Sequence, residues 1–318
     1  MFNRSEVLKV LTSMSLLASP LAADQVMKVE EMLAKKNDLK VDFSVSYSNI
    51  DTEAGMATSI PITTSSGLLG LTQTQVNIPA YAGDKSIDQD YFSTSLSVRY
   101  GLTSDIEVML FGAAHASASR VTRSYEQTLL EHASTSESGF DSVGIGFTYK
   151  IKDEGKYPSL LFGATTNVMS RLQYVKAVSD TEVQIEKSEE YFDSYNAYLL
   201  SYYTVDPIVF VMKLAYQWSP EQTNGDSSID NGEIVTVAPS IYFAVNPYTN
   251  LNWGVTYQYT GSAWRNGVLA ANSGSALGYN FGVSYEIARN NIMSIEASKS
   301  DGAAYTQSAI NLLFSKSF

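Results

Sequence analysis

Residues 305–318 read YTQSAINLLFSKSF, and toward the end apolar side chains fall on every second position: Ile310, Leu312 and Phe314, with Phe318 closing the chain. Period two belongs to a strand whose two faces meet different surroundings. An amphipathic strand with a terminal aromatic is the usual ending of a bacterial outer-membrane β-barrel. Lys316 interrupts the row where an apolar residue is commoner. So near the end of the chain, its stem can run along apolar surface while the ammonium reaches the headgroups.

The same alternation recurs upstream in segments of roughly 10–14 residues, long enough to cross an outer membrane as tilted strands. Leu39, Val41, Phe43, Val45 and Tyr47 alternate with Lys40, Asp42, Ser44, Ser46 and Ser48. Phe92, Leu96, Val98 and Tyr100 alternate with serines and Arg99; Val143, Ile145, Phe147 and Tyr149 oppose Ser142, Gly144, Gly146 and Thr148. Further rows run through Phe210–Trp218, Val235–Val245, Leu251–Tyr259 and Leu277–Ile287, and Pro239 predicts a bulge or a weakened pairing in the second of these. The predicted fold is all-β: a closed antiparallel transmembrane barrel of about twelve strands over residues 39–318. Fourteen strands follow if residues 51–87, with Ile60-Pro61-Ile62 and Leu71–Ile78, hold another hairpin; a loop folding into the lumen is the preferred reading.

Short connectors (101–104, 152–156, 204–206, 246–248, 289–290) alternate with long polar ones (51–87, 121–136, 172–186, 220–231, 264–275). Such alternation fits short periplasmic turns and longer extracellular loops, with both termini periplasmic. Tyr100, Tyr149, Trp218, Trp253 and Trp264 are expected in the interfacial girdles.

The N-terminus reads as an export signal over 1–23. Arg4 and Lys9 precede a short apolar stretch, VLTSMSLLA over 10–18, and small residues lead to cleavage after Ala23. No apolar run approaches the ~18 residues of a membrane-spanning helix. Residues 24–38 predict a short amphipathic helix, with Asp24 as cap and Val26, Val29 and Leu33 on one face. That helix is either a plug inside the barrel or a periplasmic tail, and the short leash to Leu39 favours the plug.

Composition closes off several classes. There are 21 tyrosines and 13 phenylalanines but no cysteine, so thiol chemistry is excluded and stability must come from the strand ladder. A formal net charge of −12 argues against nucleic acid as a partner. His115 and His132 are the only histidines, and neither a metal-ligand spacing nor a phosphate-binding glycine motif occurs, so no metal and no cofactor are expected. Any transport is then passive. The expected partners are outer-membrane lipid, the barrel assembly machinery through the strand ending in Phe318, and an unidentified small-molecule or peptide cargo.

At Arg99-Tyr100-Gly101-Leu102-Thr103-Ser104-Asp105-Ile106-Glu107 the chain resembles a proteobacterial family of outer-membrane transporters grouped with phenol meta-degradation pathways. The secretion channel for functional amyloid subunits is similar to that family, and has a trimerising N-terminal coiled coil. Only about 15 residues separate the cleavage site from the first strand here, too few for several heptads, so the resemblance carries over a small plug and no trimer.

Strand parity nominates Lys40, Asp42, Arg99, Glu107, His115, Asp141, Asp193, Lys213, Glu286 and Glu296 as lumen-lining. They either set the field of a pore or fill a closed interior with salt bridges. His115-Ala116-Ser117 matches the His-x-Ser spacing of outer-membrane phospholipases, but no glycine follows and parity turns His115 away from lipid, which weighs against an enzyme. The expected function is a passive channel for a small organic, for example aromatic, compound or an unfolded peptide, gated by the helix or the first loop. The alternative is a sealed structural barrel whose surface loops bind a partner. Either places it in the outer membrane of a Gram-negative bacterium.

Overall fold

The computed structural model describes residues 33–52, 58–62, 74–78, 85–125, 128–177, 183–224, 227–302 and 305–318. Twelve antiparallel staves close into a barrel. They are β1 (Leu39–Thr52), β2 (Lys85–Gly101), β3 (Ile106–Tyr125), β4 (Thr128–Lys152), β5 (Ser159–Ala177) and β6, broken into Val183–Glu190 and Tyr195–Val205. There follow β7 (Ile208–Trp218), β8 (Ile234–Asn246), β9 (Thr249–Thr260), β10 (Gly274–Ala288), β11 (Asn291–Gly302) and β12 (Tyr305–Ser317). β12 pairs with β1 from Lys40↔Ser317 to Thr52↔Tyr305, which seals the cylinder and leaves no open edge there.

Burial is inverted relative to a water-soluble protein. On β1, Lys40, Asp42, Ser44, Ser46 and Ser48 are buried while Tyr47 is exposed. On β10, Leu277, Tyr279, Phe281, Tyr285 and Ile287 face out, and Ser284 and Glu286 face in. An apolar outside and a polar inside make the wall a membrane-spanning one, since lipid rather than water completes the outer surface. Tyr100, Tyr149, Trp218 and Trp253 all lie exposed on it, and Trp218 stacks on Tyr195 at 5.5 Å. Lys316 takes the outward row, its ammonium 4.8 Å from the centre of the Phe318 ring.

The long polar connectors are corrected by the structure. β3 and β4 pair continuously to Ser124↔Leu129 and Tyr125↔Thr128, and β5 pairs with Val183–Glu190 out to Ala177↔Val183. Beyond the bilayer both faces of a strand are wet, so alternation fades although the ladder continues. Between the upper halves of β4 and β5 the pairing ends at Ser142↔Ser170. Residues 222–230 and 263–271 form a separate four-stranded sheet, which holds Trp264 off the barrel wall. Thr58–Ile62 and Thr74–Ile78 pair with each other and not with the barrel, so the strand number stays at twelve.

Pro239 keeps its register with Met212 on β7, whereas toward β9 the pairs stop at Val237↔Tyr257 and resume at Ser240↔Gly254. The missing N–H weakens that side without shifting it; the register shift falls later, between Ala244 and Asn246.

The predicted helix over 24–38 is corrected where it is described. Residues 24–32, with Val26 and Val29, lie outside the described residues, as does the export signal. Residues 33–38 are not helical. Asn37 takes a left-handed φ of 68°, and Lys36 bridges to Gly101. The chain is thereby folded back beside the first turn rather than running straight into β1.

Candidate functional site

The barrel interior has two unlike walls. Met109, Leu161, Tyr198, Leu200, Tyr202, Val209, Val211 and Ala215, contributed by β3 and β5–β7, pack into one buried apolar cluster. Tyr198 lies flat over Gly163, where any side chain would collide with its ring, and its hydroxyl bonds to Thr148 Oγ1 at 2.7 Å. The facing wall is amide and hydroxyl: Asn250, Asn252 and Gln258 on β9, Ser284 on β10, Gln307 and Asn311 on β12, and Ser44 hydrogen-bonded to Ser95 at 2.6 Å. Between them is a void of about 200 Å³, continuous with solvent.

The end of the lumen that carries the turn after Gly101 holds a charge cluster. Arg99 donates from Nε to Asp42 Oδ2 at 2.9 Å and from a terminal nitrogen to Glu107 Oε1 at 3.5 Å. Ser97 adds a bond to the same Asp42 oxygen at 3.4 Å. Arg99 is 5% exposed, Asp42 1% and Glu107 0%, so this is a desolvated triad. Such charges are tolerated only because each has a counter-charge and further hydrogen bonds. β1, β2 and β3 are lateral neighbours, and the tight turn after Gly101 brings Arg99 and Glu107 together.

The segment before β1 docks on this cluster. The backbone N–H of Ala34, itself 2% exposed, donates to Glu107 Oε2 at 2.5 Å. Lys40 Nζ donates to the Leu33 carbonyl at 3.1 Å, and Leu33 packs against the inner apolar cluster. Gly101 makes the approach feasible: a side chain there would run into the carbonyls of Lys35 and Ala34.

Higher in the lumen, His115 Nδ1 contacts Asp141 Oδ1, its ring stacked on Tyr91 at 5.1 Å, while Tyr91 donates to the other Asp141 oxygen at 3.1 Å. Asp141 faces inward as expected, though not in step with its own strand, where counting by twos from the outward Val143 would turn it out. A register shift pairs Ala113 with Ser142 and Ala114 with Phe140, and the resulting bulge turns Asp141 inward as well as Ser142. Among the described residues no hydrogen bond joins His115 to Ser117.

The remaining nominated residues are separate from these groups. Asp193 sits in the break of β6, accepting from Ser170 at 2.7 Å. Glu286 accepts the N–H of Asn290 at 3.1 Å and so caps the turn between β10 and β11. Glu296 accepts from Asn252 at 2.8 Å and Asn280 at 3.1 Å. Lys213 is buried at mid-height, 5.9 Å from the Tyr198 ring centre. Parity missed the apolar inner wall, although IVFVMKLAYQW over 208–218 is apolar on both faces, the mark of a strand with little water on either side.

No family model matches the chain, and no curated protein matches its sequence. Solved structures match its fold. An outer-membrane channel from Pseudomonas putida F1 superposes with a TM-score of 0.55 at 12% identity, over 94% of this chain and 100% of that one. The transport unit of the autotransporter AIDA-I from Escherichia coli gives 0.58 at 12% identity, covering 100% of both chains. The translocator domain of the autotransporter NalP from Neisseria meningitidis gives 0.53 at 8%, over 98% and 94%. The protein has the fold of bacterial outer-membrane β-barrels.

Proposed function

We propose that the protein is a passive outer-membrane channel for a small organic compound or an unfolded peptide, regulated by the segment that precedes β1. One observation carries this reading: Leu33 and Ala34 lie at the end of the barrel that carries the turn after Gly101, tied to Lys40 and Glu107, and the lumen still holds a void continuous with solvent. Barrels of about eight strands are just wide enough for side chains to fill, and twelve staves enclose a wider lumen. The Pseudomonas putida barrel of similar fold is itself an outer-membrane channel.

Single-channel currents in planar bilayers test the proposal, with the mature chain compared to a variant lacking residues 24–38. The expected result is larger or more frequent openings in the truncated barrel. Silence from both, with folding verified by heat-modifiable electrophoretic mobility, overturns it in favour of a sealed barrel whose loops bind a partner.

A further inference from the structure

Glu296 on β11 is held by one carboxylate oxygen and offers the other to the void. From this clamp we infer a binding site for a small organic cation, an ammonium carried on an apolar body. The inference names the cargo class of the proposed channel and rests on that reading for its biological sense, though the binding itself does not require permeation.

The clamp is built on three neighbouring staves. Asn252 on β9 and Asn280 on β10 both donate from their side-chain amides to the same oxygen, Glu296 Oε2, at 2.8 Å and 3.1 Å. Two glycines make room for those amides. A side chain at Gly282 would strike Asn252 Oδ1, and one at Gly254 would strike Asn280 Oδ1. Register explains the fit: Asn252 pairs with Gly282, which pairs in turn with Glu296, and Gly254 pairs with Asn280. Each amide thus lies over the bare backbone of the adjacent stave and aims its N–H at the carboxylate.

That arrangement fixes the carboxylate without neutralising it. Among the described residues nothing donates to Glu296 Oε1, which is not shut off from solvent, and no lysine or arginine pairs with Glu296. Lys299, at the margin of the void, is in the outward row and pairs with Asp301 at 3.6 Å. A carboxylate has about four acceptor sites, and neutral amides leave its charge without a counter-charge. Glu296 lines the void of about 200 Å³. An ammonium arriving there supplies both the missing donor and the missing charge. Apolar surface for its body is close by. Asn311 on β12 pairs with Glu296, and Leu313, the next inward residue on that strand, is buried and lines the void, as do Leu200 and Val211 on the facing wall. A ring or short alkyl body laid against them leaves water for apolar surface.

Isothermal titration of the detergent-solubilised, folded barrel tests the site with benzylamine, benzyl alcohol and benzyltrimethylammonium as probes. Protonated benzylamine is expected to bind at least about tenfold more tightly than either of the others, the scale of one charge-assisted hydrogen bond. Benzyl alcohol lacks the charge, and benzyltrimethylammonium has the charge but no N–H. The acidic protein as a whole attracts any cation, so Glu296→Gln is the decisive variant: it keeps the shape of the clamp and should abolish the preference for benzylamine. Equal binding of benzylamine and either companion probe by the parent barrel overturns the inference. So does a folded Glu296→Gln barrel that still prefers benzylamine, and so does no binding by any probe. The titration reads binding without current, so a silent bilayer with a positive titration sinks the channel and spares the site, and the reverse pattern does the opposite.

Discussion

Replacing Arg99 with methionine is expected to lower the stability of the folded barrel by about 3–5 kcal/mol, because it strands two buried carboxylates. Asp42 and Glu107 both turn toward the guanidinium, and both are fully buried. The urea midpoint of the liposome-reconstituted barrel should fall accordingly. Neutralising the partners as well, in Arg99→Met with Asp42→Asn and Glu107→Gln, should recover much of the loss, since the cost lies in uncompensated charge rather than in missing attraction. An unchanged midpoint in the single variant would show that the triad contributes nothing to the wall.

Gly101→Val is expected to have the largest effect on conductance. Extended backbone accepts valine readily, and Gly101 pairs with Glu107 in an ordinary ladder position. What it cannot accept is a side chain beneath the carbonyls of Lys35 and Ala34. The docked segment must then leave the mouth, forfeiting the bond from Ala34 to the Glu107 carboxylate, about 1.5–3 kcal/mol for a charged acceptor. Bilayer currents should rise to the level of the barrel lacking residues 24–38, with the strand ladder intact by circular dichroism. Currents equal to those of the parent protein would mean that the segment does not control opening.

Those two variants draw on different depths of sequence information. The barrel was legible because lipid and water enforce a strict period of two wherever a strand lies in the bilayer, as at Leu39–Tyr47 and Leu277–Ile287. Arg99 and Glu107 were legible for the same reason, though their pairing with Asp42 depends on which strands are neighbours. The fold-back at Asn37 was not. Val26, Val29 and Leu33 carry helical spacing, and the contact that decides the conformation of residues 33–38 comes from Gly101, more than sixty residues away. The inward turn of Asp141 was nominated from the sequence, but its cause, a bulge between β3 and β4, leaves no trace in the alternation. Strand ends are not legible wherever the ladder outruns the membrane, since alternation reports the bilayer and not the hydrogen bonding.

The pairing of β1 with β12 also has a consequence in time. Lys40 meets Ser317, and the terminal Phe318 exchanges backbone hydrogen bonds with Leu39, so the first and last strands of the cylinder are mutual partners. No shorter stretch of the chain can close the ring. Contacts this remote in sequence form slowly, because the entropy of the whole intervening loop is lost before they return anything. Until the final strand is in place, every intermediate is a curled sheet with two unpaired edges and an apolar outer face, a species that invites aggregation in water. The molecule is therefore committed to completing its fold where lipid can cover that face, and losing the last dozen residues would leave an uncloseable sheet rather than a slightly smaller barrel.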